Sequence, residues 1–291
     1  MVNATVEGIF NSTIVDLFRP LPDNAGNNGP SPVSSGGSGS SFNSIILTDQ
    51  ADTREGTPEA DSIEGLEGDD SINGKGKGDI IFGNQGLDTL LGGIGKDTLW
   101  GGKSNDSLFG GDDEDILYGN KGNDCLCGNL GNDCLYGGIE NDSLSGDEGD
   151  DCLYGGKNND SLSGGEGDDT LAGDRGSDTL TGGGGKDLFI ISENPGGDSV
   201  SKADIIMDYN TDGNDQIGLI NGLRRSDLNF LDIKKDDRKE LINGLTGNDL
   251  EFLKTIVAEK DATVISLKND PKDFLAIVIG VNEENLDIIT I

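Results

Sequence analysis

Aspartate recurs every nine residues, at 61, 70, 79, 88, 97, 106, 115, 124, 133, 142, 151, 160, 169, 178 and 187, without a miss. Five residues before each stands a Gly, from Gly56 to Gly182, and two residues after each stands an apolar residue, from Ile63 to Phe189. One carboxylate beside a Gly-rich turn makes a set of hard oxygen donors. The side chain supplies one kind, and backbone carbonyls supply the other, converging because no Cβ stands between them. Such a set takes a divalent cation. It suits Ca²⁺, with its roughly six to eight flexible ligands, better than Mg²⁺, which holds a tighter octahedron and keeps its waters.

The elements that position these groups follow from the unit itself, G-[GND]-x-G-x-D-x-[LI]-x. Its first six residues are turn material, and the residues after Asp alternate outward, inward, outward as a short strand does. Two units make one turn of a flattened coil, so residues 18 apart stack at strand spacing, about 4.8 Å. The expected fold is all-β: a parallel β-roll, a two-sheet solenoid with 18 residues per turn, and a C-terminal β-rich capping region. Each edge of the roll then carries a column of carboxylates, which repel one another unless cations sit between successive turns. With eight turns on one edge and seven on the other, the fifteen units leave at most about 13 spaces of that kind. One apolar side chain in nine residues is also too little to offset the ordering of a Gly-rich backbone, so metal binding is expected to be part of folding.

The candidate metal ligands are Asp70, Asp79, Asp88, Asp97, Asp106, Asp115, Asp124, Asp133, Asp142, Asp151, Asp160, Asp169, Asp178 and Asp187, with the turn glycines Gly92, Gly95, Gly128, Gly131, Gly146, Gly149, Gly164 and Gly167. The first unit, GTPEADSIE, is degenerate and reads as a terminal cap. Glu59, Lys77, Ser104, Asp113, Glu140 and Asn158 replace the Gly two residues before Asp. Lys77 brings a cation beside the Asp79 turn, where weaker binding is expected.

The units GGIGKDTLW at 92–100 and GGEGDDTLA at 164–172 resemble the RTX, or haemolysin-type calcium-binding, nonapeptide repeat. The resemblance covers 56–191. It implies a calcium-loaded β-roll and export by type I secretion machinery through an uncleaved C-terminal signal; the tail Asp287-Ile288-Ile289-Thr290-Ile291 is similar to the endings of some members. It implies a secreted, extracellular or cell-surface location.

Composition narrows the rest. A net charge of −34 argues against nucleic acid and against an anionic membrane surface. With no His, a Ser-His-Asp triad and an H-E-x-x-H zinc site are impossible. No apolar run approaches the roughly 20 residues that span a bilayer, and no amphipathic inserting segment is visible. The stretch before Arg19 has neither a basic residue nor an apolar h-region, so no Sec signal is expected. The chain divides into a short N-terminal segment (1–20), a flexible Pro/Gly/Ser/Asn linker (21–55), the repeat tract (56–191) and a C-terminal β-rich region (192–291). In the last, ADIIMDY, ATVISLK, FLAIVIGV and LDIITI read as strands.

Outward positions carry two further signals. Phe82, Trp100, Tyr118, Tyr136 and Tyr154 are 18 apart and are expected to stack as an aromatic ladder on one face. A stripe of that size marks a contact surface: for the 1–20 segment or the C-terminal region, for a self-association or cell-surface partner, or for sugars. Cys125, Cys127, Cys134 and Cys152 read as free outward thiols, since their directions suit neither disulfides nor a shared zinc site. The function expected is a calcium-binding secreted structural or surface protein without catalysis. The alternatives are a calcium-dependent adhesin or glycan-binding module using the ladder, and an accessory module of an enzyme.

Overall fold

A computed structural model describes residues 42–191, 203–209, 214–220, 223–233, 261–267, 274–281 and 283–291. The N-terminal segment 1–20 and linker residues 21–41 lie outside the described residues. Among the described residues the regular elements are strands, apart from two short 3-10 turns at Arg225–Asp227 and Glu283–Asn285. Among the described residues no helix is long and apolar enough to cross a membrane.

Successive strands alternate between two sheets. Each pairs in parallel with the strand one full turn away, at a register of 18 residues: Cys134 faces Cys152 and Leu126 faces Leu144. The first sheet runs from Asn43–Ile46 through Asp61–Glu67, Ile80–Gln85, Thr98–Lys103, Ile116–Lys121, Cys134–Ile139 and Cys152–Lys157 to Thr170–Arg175 and Leu188–Ile191. The second runs from Thr53–Glu55 to Thr179–Gly184. The structure is thus the parallel two-sheet roll that the nine-residue rhythm demands.

Strand alternation decides what is inside. In a unit such as Ser143–Glu148, the residues at the second and fourth places are buried and the first and third are not. The second place is the repeated apolar residue, and Ile63, Leu90, Leu126, Leu153, Leu180 and Phe189 are at most 2% exposed. The fourth is the Gly five residues before the next Asp. The core is therefore one file of aliphatic side chains per sheet, with glycines at the rims.

The sheets take in part of the segment read as linker. Asn43–Ile46 pairs with Asp61–Glu67, and Thr53–Glu55 pairs with Ser71–Gly76. Asn43 stands at the Asp place of this added turn, and Ile45 packs against the core.

Beyond Ile191 both sheets continue. Gln216–Leu219 and then Ile288–Thr290 extend the first, and Asp204–Ile206 and Phe274–Ile279 extend the second. Ala262–Leu267 and Leu228–Ile233 then add on antiparallel, which ends the parallel stack. Phe189, Ile206, Ile217, Ile265 and Leu275 share one core with the roll. The Tyr209 hydroxyl donates to the Asp215 carbonyl at 2.5 Å and accepts from the Asp287 amide at 2.9 Å, tying the cap together. The four strands read from the sequence after 192 are all present. Gln216–Leu219 and Leu228–Ile233 add to them.

Candidate metal centre

Every repeated Asp sits where a strand begins, at the edge of the roll, and all are buried, at most 3% exposed. Their backbone is fully used. The amide of each donates to Oδ1 of the Asp one turn on: Asp97 to Asp115 at 2.7 Å, Asp115 to Asp133 at 2.7 Å, Asp124 to Asp142 at 2.8 Å. The carbonyl of each accepts from the residue after the next Asp in the column, as Asp115 does from Cys134 at 2.9 Å. Each carboxylate is thus held by one oxygen, in register, over its neighbour.

The second oxygen is left over. Among the described residues, Oδ2 of Asp70, Asp79, Asp88, Asp97, Asp106, Asp115, Asp124, Asp133, Asp142, Asp151, Asp160, Asp169, Asp178 and Asp187 is buried without a hydrogen-bond partner. An unpaired buried polar atom costs about 1–3 kcal/mol, and more when charged. Fourteen in two columns are a systematic demand for something that the polypeptide does not supply. The ends of the columns differ. Asp61 Oδ2 accepts from the Thr57 amide at 2.6 Å, and Asp52 Oδ2 accepts from the Thr48 amide at 2.9 Å and hydroxyl at 2.7 Å. At the ends of the stack the chain closes its own carboxylates; in the interior it does not.

Electrostatics state the same demand. Burial, opposed in part by the amide on Oδ1 and reinforced by neighbouring carboxylates, pushes Asp106, Asp115 and Asp160 up to about 8. Asp97, Asp142 and Asp169 reach about 7. Asp79, Asp88, Asp124, Asp133, Asp151, Asp178 and Asp187 reach about 6, and Asp70 is also raised. Without a positive charge between the turns, these groups tend to protonate near neutral pH.

The turn glycines frame the same gaps. A Cβ on Gly128 would overlap Asp133 Oδ2 and lie 2.7 Å from the carbonyl oxygen of Gly146, one turn on. Gly92, Gly146 and Gly164 repeat this arrangement with Asp97, Asp151 and Asp169. Gly131, Gly149 and Gly167 stand two residues before Asp with φ of 141°, 139° and 131°, and Gly95 with 115°. A side chain on Gly149 would run into the Gly131 carbonyl one turn below. At Asp97, Asp133, Asp151 and Asp169 a carbonyl of the next turn therefore stands beside the place where the orphaned Oδ2 lies. This donor set, carboxylate plus main-chain carbonyl, is the chemistry of a hard cation, and the residues present fit Ca²⁺. Among the described residues no three His, Cys, Asp or Glu side chains gather at one point. A cation between the turns would take most of its ligands from the backbone.

Lys77 lies beside the Asp79 turn. Its ammonium pairs with Glu59, and Asp79 Oδ2 is left as unpartnered as its neighbours. Two features escaped the reading of the sequence. The columns continue past the repeat: the Asp178 amide donates to Asp204 Oδ1 at 3.1 Å and the Asp187 amide to Asp215 Oδ1 at 3.0 Å, although the spacing has jumped to 26 and 28 residues. Beside the Asp columns runs a second, exposed ladder. Oδ1 of Asn105, Asn123 and Asn141 each accepts from the amide one turn on, at 2.8, 3.1 and 2.8 Å. The recurrent Asn-Asp and Asp-Asp dipeptides were its signal.

The ladder of rings is present, with centroid separations of 4.7, 5.4, 4.9 and 5.1 Å and interplanar angles of 7–12° from Phe82 to Tyr154. Within the ladder the ring faces are turned to one another. The cysteines are free. Cys125 and Cys127 lie on the second sheet and Cys134 and Cys152 on the first, so they cannot share a metal.

A model of the RTX calcium-binding nonapeptide repeat matches the chain at residues 48–81, 55–90, 73–108, 91–126, 100–133, 128–162 and 163–190. No curated protein matches it.

Proposed function

The chain belongs to the RTX calcium-binding nonapeptide-repeat family, and from that premise we propose that it is a secreted structural protein whose roll folds on meeting Ca²⁺ outside the cell. The roll itself is a calcium-binding structural module and not a catalytic one. The observation that carries the proposal is the double column of fourteen buried, unpartnered carboxylate oxygens.

The ligands proposed are those fourteen aspartates and the carbonyls of the turn glycines, including Gly92, Gly95, Gly128, Gly131, Gly146, Gly149, Gly164 and Gly167. Bound Ca²⁺ supplies the positive charge that keeps the columns ionised at neutral pH. The protein holds each carboxylate by Oδ1, aims Oδ2 into the gap between turns, and keeps water out of the core beside it. Sites of extracellular affinity, roughly 10⁻⁴–10⁻³ M, stay empty at the low free calcium inside a cell. The repeat tract then remains an extended chain fit for a type I secretion channel. The proposed C-terminal signal is compatible with that order, because Ile288–Thr290 is a paired strand once the cap has formed. It would be read before folding.

Calcium titration of the metal-stripped chain, followed by calorimetry and far-ultraviolet circular dichroism together, tests the reading. Many ions per chain, about 13 for the spaces between turns within the nine-residue tract, should bind as strand signal develops. Binding of one or two ions, or binding with no change in the spectrum, would end it.

A further inference from the structure

The outer face of the first sheet carries two columns that calcium binding does not use. One is the ring ladder, about 20 Å long by its centroid steps. Ile116 beside it is 38% exposed. Three residues further along the same strands, about 10 Å away at strand rise, stands a column of cations: Lys103, Lys121, Lys157 and Arg175, interrupted by Ile139. The repeat tract has eight Lys and Arg in all, and half of them are in this column. Between rings and cations lie Gly102, Asn120, Gly138 and Gly156, which leave a shallow lane. The face therefore suits a segment that is apolar along one side and acidic along the other.

Two candidate occupants can be set aside. A second copy would bring the same rings and the same cations to the face, with no acidic side to meet the column. The described C-terminal strands are spent on extending the two sheets past Ile191.

We propose that the face is covered by this chain's own residues 7–18, with Ile9, Phe10, Ile14, Val15, Leu17 and Phe18 against the ladder and Glu7 and Asp16 toward the cation column. Residues 1–18 contain no Lys or Arg, so their charge complements that column alone within the acidic roll. The chain also starts from the right place. Phe42 leads directly into Asn43–Ile46, the end strand of the sheet that carries the ladder, and Ile46 lies in the ladder's own column below Glu64 and Phe82. Trp100 is three strands along, about 14 Å at strand spacing. The 24 residues from Phe18 to Phe42 are mostly Gly, Ser, Pro and Asn, and a flexible chain of that length spans about 27 Å. Tethering holds the segment at an effective concentration on the order of 1 mM, so weak contacts suffice.

The single tryptophan of the chain, Trp100, is in the middle of the ladder and reports on it alone. The experiment compares acrylamide quenching of Trp100 in saturating calcium for the full chain, for the chain lacking residues 1–41, and for a full-length Ile14→Asp/Leu17→Asp variant. Circular dichroism confirms the roll in each. Both changes should raise the quenching constant about twofold or more as the ring edges regain water. Peptide 1–20 at about 1 mM, the concentration that the tether supplies, should restore protection to the deletion. Equal quenching in all three proteins overturns the proposal. So does protection of the full chain that fades on dilution, which would assign the face to a second copy. Neither result touches the calcium reading, since the roll is folded throughout.

Discussion

In the roll, one side chain in nine is a buried aliphatic and the other inward place is Gly. In the strand Phe274–Ile279, Leu275, Ala276, Ile277, Val278 and Ile279 are buried in succession, on both faces. The roll's polar interior is a double column of carboxylates with one oxygen bonded and one not. The capping strands Ala262–Leu267 and Phe274–Ile279 carry no carboxylate at all. The two regions share sheets and a core, yet solve opposite problems. The outer cap strands are held by apolar burial, while Asp204 and Asp215 carry the carboxylate columns only as far as the cap's first turn. The roll is too thin for apolar burial alone, and on the proposed reading its stacking depends on neutralising the charge between its turns. Joining the two closes the C-terminal end of the roll, since Gln216–Leu219 and Asp204–Ile206 pair with its last strands.

The contrast can be broken most strongly with pH. The roll carboxylates are raised in the folded chain to about 6–8 from an ordinary carboxylate value near 4. The folded metal-free roll therefore binds more protons than the unfolded chain. Its stability is greatest below about pH 4 and is lost as pH rises through about 6–8. Strand signal in metal-stripped buffer should fall over that window, while calcium affinity should rise across it as ions displace protons. A metal-free spectrum insensitive to pH would place the carboxylates in water.

Phe189→Ala addresses the junction. This fully buried ring is where roll and cap share a core, and its loss should cost about 3–5 kcal/mol in thermal unfolding. Excess calcium should leave that deficit in place, because it is one of packing. Gly128→Ala acts inside the roll. Its Cβ meets Asp133 Oδ2 and the Gly146 carbonyl, and roughly 3 kcal/mol should be lost in saturating calcium, together with a weakened calcium response. The same Gly-to-Ala change at the exposed cap turn residue Gly280 should leave calcium affinity unchanged.

Asp115→Asn separates charge from shape. Asn keeps the acceptor for the Asp97 amide at 2.7 Å and removes the unpartnered ionised oxygen. The metal-free roll should gain about 1–3 kcal/mol, and calcium affinity should fall. Loss of stability in both states would mean that Oδ2 has a partner within the chain.

Much of this was legible in the sequence because a solenoid writes its geometry as a period. The nine-residue spacing of Asp and Leu fixes strands, facing and register at once, and the ladder from Phe82 to Tyr154 follows from that register alone. Legibility failed where the period did. Asn43 and Asp52 occupy the Asp places of an extra turn, but Asn43 lacks the charge and no Gly stands two residues before either of them. Asp204 and Asp215 continue the columns across longer connections, so counting could not find them.

The central claim is that the interior turns stack only around a neutralising cation. Hydrogen–deuterium exchange read peptide by peptide at neutral pH, in chelator and in calcium, tests it most directly. Amides across 61–187 should exchange at unfolded rates in chelator and gain protection together on adding calcium. Full protection of that tract in chelator, equal to its protection in calcium, would contradict the account.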